Sequence, residues 1–245
     1  MLVCMYSNLE MVQLLLKYVP TFDADLRDSE GCTMIYHAVA GGPKETIQFL
    51  LESRQKLEFD LEARDNIRST VLHFARKRDM EIVDLVIKAL EEIGSDINLD
   101  TENNHQTSPF ILFCVYNPDV TIQLLQRFPE KINVLSPHNG TILHYACQHG
   151  HLDLLKYIFE NATNNMDFNS VNDFGWTPLH SASAFGKYEI VKFLFENHEA
   201  KGIDVTIKTS SGDTAEDLAR RDKSLQRIVE VLEVWTNHIN EKHSV

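Results

Sequence analysis

Six times along the chain a Thr or Ser opens the same short pattern, at Thr33, Thr70, Ser108, Thr141, Thr177 and Thr214, with successive spacings of 37, 38, 33, 36 and 37 residues. No other feature narrows the fold as far. A self-similar period of this length marks stacked supersecondary units, each too small to enclose a core and each covering its neighbour's apolar face. The fullest copy reads Gly175-Trp176-Thr177-Pro178-Leu179-His180-Ser181-Ala182.

The pattern within a period has a local physical reading. A Thr or Ser ahead of a short apolar stretch suits a helix N-terminus, where its hydroxyl accepts an orphan backbone N–H. Pro109 and Pro178 follow it directly, at a position that needs no N–H. The first helix of each unit is short, and Gly42, Gly150 and Gly186 are expected to end it in the left-handed conformation. A second helix follows with apolar residues at i, i+3 and i+4. Examples are Val12, Leu15 and Leu16; Ile47, Leu50 and Leu51; Val83, Val86 and Ile87; and Val191, Leu194 and Phe195.

These strings resemble the ankyrin repeat over nearly the whole chain. The motif positions that carry the resemblance are Thr70, His73, Thr141, His144, Gly150, Gly175, Thr177, Pro178, Leu179 and His180. Gly94-Ser95-Asp96-Ile97-Asn98 and Gly202-Ile203-Asp204-Val205-Thr206 are similar to the family's exit turn, and Asn172-Asp173-Phe174-Gly175 to its hairpin. The resemblance implies an all-α ankyrin-repeat solenoid of helix-turn-helix units joined by β-hairpin-like loops. About six repeats and a partial N-terminal one are expected in a single domain, 1–245. The units fall near 1–27, 28–64, 65–102, 103–135, 136–171, 172–207 and 208–245, the last a polar cap. The Ser108 unit departs most, with Ile111 for the motif His, Phe113 for the small Ala and Asn117 for Gly. Arg68 replaces the hairpin Gly in the Thr70 unit, which is one residue short before Glu81. Irregularity is expected at those two junctions. Trp235 is expected to pack on the last helix.

Charge and cysteine usage bound the partners. The net charge is −13, from 36 acidic and 23 basic side chains. Such a surface opposes general binding to phosphate backbones and anionic membranes, so no nucleic acid and no membrane insertion are expected. Cys4, Cys32, Cys114 and Cys147 form no C-x-x-C pair, and Cys114 and Cys147, at small-residue positions of first helices, read as buried reduced thiols. Met1–Ser7 has no basic leader, and the sequons at Asn139-Gly140-Thr141 and Asn161-Ala162-Thr163 read as coincidence. The expectation is a monomeric protein of the cytoplasm, with the nucleus as the alternative. The chain opens on a second helix with a shortened partner, either a cap or the middle of a longer array.

Catalytic chemistry is not apparent. No phosphate-binding loop, dinucleotide fingerprint, nucleophile elbow or H-E-x-x-H helix occurs. His144, Cys147, His149 and His151 cluster, but His144 and His151 fall on repeat positions, so no metal site is expected there, and none, nor any cofactor, is expected elsewhere in the chain. The ankyrin resemblance instead implies a binding face on hairpin tips and first helices. From the hairpins it selects Glu30, Cys32, Ile67, Ser69, His105, Thr107, His138, Phe174, Trp176, Ser211 and Asp213. From the first-helix ends it selects Lys77, Arg78, Val115, Tyr116, Gln148, His149, Ala184 and Phe185. Phe174, Trp176, Phe185 and Tyr116 are the expected apolar anchors, and Arg76, Lys77 and Arg78 a basic spot with Arg78 steering an acidic partner. The function implied is a non-catalytic scaffold or adaptor for a protein partner of unknown identity. The alternatives are a regulatory or substrate-docking segment of a larger enzyme, and a structural spacer.

Overall fold

In the computed structural model each of the six Thr or Ser positions is the N-cap of a short helix, with extended backbone. The structure describes residues 9–19, 23–95, 97–162 and 166–242. Cys4, Met1–Ser7, Asp96 and Thr163 lie outside them. The first helices are Met34–Gly41, Val71–Phe74, Pro109–Tyr116, Ile142–His149, Pro178–Ala184 and Ala215–Arg220. Their second-helix partners are Lys44–Glu52, Met80–Glu92, Pro118–Arg127, Leu152–Asn161, Tyr188–Glu196 and Gln226–Lys242, with Leu9–Tyr18 ahead of them all. Among the described residues there is no strand, only one isolated bridge between Leu135 and Thr141.

The apolar stripes are buried as their spacing requires. Ile47 and Leu50, Val83, Val86 and Ile87, and Leu154, Leu155 and Ile158 have essentially no exposed surface. Within each unit of the chain the first helices are enclosed more fully, because they lie between a second helix and a neighbouring repeat. Phe110 and Phe113 show how the Ser108 unit absorbs its departures: both large side chains are fully buried in place of smaller ones. Leu9–Tyr18 buries only Val12, and Leu14 and Tyr18 stay exposed.

Helix ends follow local chemistry, with one departure from expectation. Gly150 and Gly186 are left-handed, at φ 80° and 69°. Gly42 is extended instead, at φ −76° and ψ 164°, because Pro43 follows it and the ring excludes helical and turn geometry from the preceding residue. The one-residue deficit in the Thr70 unit is met by tightening: Val71–Phe74 passes into a 3₁₀ turn, Ala75–Lys77. Asp79 then caps the next helix, accepting from Ile82 N at 3.0 Å. Trp235 stands on the last helix itself, fully buried, and packs on Phe195 and His198 of the preceding repeat.

The chain divides into two compact units, Met1–Val120 and Thr121–Val245. The first holds hairpins 28–32, 65–69 and 103–107; the second holds 136–140, 172–176 and 209–213.

Candidate protein-binding site

Every hairpin is built on a side-chain acceptor at its first residue. Asp28, Asp65, Asn103 and Asn172 each accept two backbone N–H groups, two and four residues on, at 2.6–3.2 Å. Ser136 and Thr209 use a hydroxyl for the second of these bonds, at 3.1 and 3.2 Å. The turn forces its fourth residue to positive φ. Gly31, Gly175 and Gly212 meet that demand freely, while Arg68, Gln106 and Asn139 adopt φ 65°, 55° and 54°. At Gly175 a second reason acts, since a Cβ there would lie 2.5 Å from the Ser210 amide nitrogen.

Neighbouring hairpins are tied through backbone. In the first unit Asn66 N donates to Glu30 O at 2.9 Å and Asn104 N to Ile67 O at 2.7 Å; in the second, Asp173 N donates to His138 O at 3.0 Å and Ser210 N to Phe174 O at 3.2 Å. The main chain of Ile67, His138 and Phe174 is thus committed to structure. Their side chains are left to project, and Phe174 is 60% exposed.

The motif histidines weld one repeat to the next. His73, His144 and His180 each accept the N–H of their capping Thr at Nδ1, at 3.0, 3.2 and 3.1 Å. That bond fixes the proton on Nε2, which donates to Thr107 O, Trp176 O and Asp213 O at 3.0, 2.8 and 3.2 Å. Burial holds all three below the ordinary histidine range, more than the carbonyl contacts raise them. His144 therefore has both ring nitrogens engaged within the repeat. The Thr33 repeat places Tyr36 at this position. The ring stacks on Phe74 at 4.9 Å, and its hydroxyl is buried with no hydrogen-bond partner.

Against this frame, a cavity of about 520 Å³ opens on the Thr177 repeat, lined by Phe174, Trp176, Phe185 and Gln148, with Ser181 and Ser210 among its polar walls. Asn172 positions the hairpin arm, since its carboxamide oxygen holds the amides of Phe174 and Trp176, both at 3.0 Å. Phe185 sits where the first helix stops, ahead of left-handed Gly186. Trp176 and Phe185 meet edge to face with centroids 6.4 Å apart, and Phe174 leans on His138 at 6.0 Å. Asp173 is the only charged residue of the lining. Aromatic walls with hydroxyl and carboxamide groups between them can take an apolar side chain and satisfy the amides beside it.

The other expected residues have separate surroundings. In the first unit Tyr116 is half-exposed, with Lys77 Nζ 5.2 Å and the Arg76 guanidinium 5.8 Å from its ring centre. Arg78 does not face outward as the steering group. Its guanidinium donates to Gly42 O at 2.8 Å, where Pro43 has left that carbonyl outside the helix, and its own carbonyl accepts from Asn117 Nδ2 at 2.6 Å. Ile67 and His105 are exposed on their hairpins. In the second unit His149 stacks on His151 at 5.8 Å, and burial, then His151 and Lys187, hold its pKa down. Sequence reasoning missed Asn172, Ser181 and Ser210 as site residues: Asn172 acts by positioning Phe174 and Trp176, and the two serines are small polar residues that nothing in the sequence marks as cavity lining.

Comparisons with known proteins agree with this construction. The family described as ankyrin repeats (3 copies) matches residues 1–65 and 110–209. An ankyrin repeat protein of Escherichia coli (strain K12), YahD, is 30% identical over 93 residues, 38% of this chain and 44% of its own length, so the chain spans less than half of that relative. Among solved structures, the human ASB11 ankyrin repeat domain aligns over 95% of both chains with a TM-score of 0.74 and 19% identity. The ankyrin repeat domain of Bcl-3, a member of the IkappaB protein family, aligns over 95% of this chain and 96% of its own with a TM-score of 0.64 and 19% identity. The ankyrin repeat protein EF0377 covers 77% of this chain and 90% of its own, at a TM-score of 0.57 and 26% identity. With capped helix pairs, ladder-tied hairpins and histidine welds already in place, the match over most of the sequence settles the point: the chain belongs to the ankyrin repeat family, an all-α solenoid fold whose repeats generally serve as protein–protein interaction modules.

Proposed function

We propose that this protein is a non-catalytic binding module and that the aromatic cavity of the Thr177 repeat is its principal docking point for a protein partner. The observation that carries the reading is the gathering of Phe174, Trp176 and Phe185 on one cavity. Phe174 and Phe185 are 60% and 49% exposed, an expense of apolar surface for which the fold has no use. Rigid aromatic anchors on a preorganised backbone are what hot spots at interfaces consist of. The partner segment inserts an aliphatic or aromatic side chain between the rings, and its backbone meets Gln148, Ser181 and Ser210. With Asp173 the single charged residue of the lining, the cavity favours a segment without a cluster of charge at its centre.

The test is selection from a displayed peptide library on the wild-type chain, followed by calorimetry of the recovered peptides. Peptides with a large apolar residue are expected, and Trp176→Ala is expected to weaken them by about 2 kcal/mol or more, roughly 30-fold, with the thermal midpoint retained. An unaltered dissociation constant in Trp176→Ala and Phe185→Ala would remove the cavity from the binding site.

A further inference from the structure

The Thr33 repeat sets two further side chains beside its hairpin carboxylate, a constellation that the aromatic cavity does not use. The Asp28 carboxylate, the Cys32 thiol and the His37 imidazole each present a ligand atom, all within 4.8 Å of one another. Every repeat shares this hairpin and helix start, yet the other five place Ser69, Thr107, Gly140, Trp176 and Asp213 at the position of Cys32. They place Phe74, Leu112, Tyr145, Ser181 and Leu218 at that of His37. The grouping is therefore a property of this repeat and not a by-product of the architecture.

We propose that Asp28, Cys32 and His37 form a binding site for Zn²⁺. One thiolate, one imidazole and one carboxylate are a donor set suited to this borderline ion, with water in the fourth tetrahedral position. The scaffold is rigid where it matters. Asp28 Oδ1 accepts from Glu30 N and Cys32 N, both at 2.9 Å, and Asp28 N donates to Cys32 O at 3.1 Å. This second shell aims Oδ2 at His37 Nε2, 2.7 Å away. Oxygen and nitrogen donors around a tetrahedral zinc lie roughly 3.3 Å apart, so the ion replaces the Asp28–His37 hydrogen bond with a separation about half an ångström greater. Cys32 is buried beneath the pair, while the side chains of Asp28 and His37 retain 26% and 22% exposure and leave a route from solvent. The surrounding field suits a dication: Asp28, Glu30 and Asp65 face the thiol, and the nearby cation Arg27 is turned to the carbonyls of Gly31 and Arg64. As the zinc–sulfur bond forms, the thiol proton leaves to solvent and the imidazole binds in its neutral form.

Cobalt(II) titration of the reduced, chelator-treated full chain tests this directly. One equivalent is expected to produce a thiolate-to-cobalt charge-transfer band with the visible spectrum of a four-coordinate ion, and Zn²⁺ to displace it. Cys32→Ser abolishes the band, and Asp28→Asn and His37→Gln, which remove direct ligands, weaken binding by more than the roughly 10- to 100-fold lost when only an outer partner is changed. His238→Ala, which alters the separate group of partly buried His198 with exposed Glu199 and His238, leaves it unchanged. Zn²⁺ raises the thermal midpoint of the wild type but not of Cys32→Ser, whose fold is checked by its own cooperative melt. Absence of the band at stoichiometric cobalt, or a band that survives Cys32→Ser, overturns the proposal; if Cys32→Ser does not fold, loss of binding in His37→Gln decides between the same two outcomes.

Discussion

Arg68 is a residue in a glycine's position. Its φ of 65° costs a side-chain-bearing residue about 1–2 kcal/mol in the left-handed region, partly offset by the smaller entropy it loses on folding. Arg68→Gly is expected to raise stability by about 0.5–1 kcal/mol, read as a higher denaturant midpoint at unchanged slope. Tyr36 is the converse, a side chain with a buried hydroxyl and no partner for it. Tyr36→Phe keeps the stack on Phe74 and is expected to gain about 1 kcal/mol; a fall in the midpoint would show that the hydroxyl is satisfied. Leu143, 1% exposed, is ordinary core, and Leu143→Ala is expected to cost about 2–5 kcal/mol through the cavity it leaves. The sequence signalled Leu143 by periodicity and Arg68 by its register with the hairpin glycines. It did not signal the orphaned hydroxyl, because whether a polar atom finds a partner depends on the next repeat and not on its own.

At the scale of the element, the unit of cohesion is the Thr–His cap with its bond to the following hairpin. The cap works only while Nδ1 of His73, His144 and His180 remains an acceptor, so protonation breaks it. Burial depresses these groups in the folded state below the 6.5 of an unhindered imidazole. The unfolded chain therefore takes up protons first as pH falls. Their contribution is complete above pH 6.5 and declines as the pH drops below it towards the depressed native values. Denaturant midpoints are expected to fall between pH 7.5 and 5.5, and a His144→Gln variant, less stable at both, is expected to lose less across that interval. Helix pairs and most of their caps were legible from spacing alone, because the period and the N-cap chemistry are local; Thr33 is the exception, an N-cap by position whose buried hydroxyl has no hydrogen-bond partner. The extended Gly42 was legible too, in Pro43, but only to a reading that lets the following residue overrule the glycine. Arg78 was not: its guanidinium answers the carbonyl that Pro43 set free one repeat earlier, a contact 36 residues away.

At the scale of the whole molecule, the sequence disclosed the architecture and left the site half-drawn. Repetition announces itself in one dimension, so the six Thr- or Ser-headed first helices could be placed before any coordinate was known. The aromatic trio was visible as an oddity within one repeat, while its polar surroundings come from positions with no signature. The net charge of −13 gives a further expectation: the chain should pass through an immobilised nucleic-acid column at low salt, and retention that weakens with salt would show a local basic surface overriding the total. The cavity draws its walls from three consecutive repeats, with Gln148 before and Ser210 after the residues of the Thr177 unit. Transplanting that unit alone into a different array would carry the rings and lose the shape. On the proposed reading, what the cavity selects is written in the offset between neighbours, and evolution can retune it by altering a contact between repeats without touching any aromatic side chain.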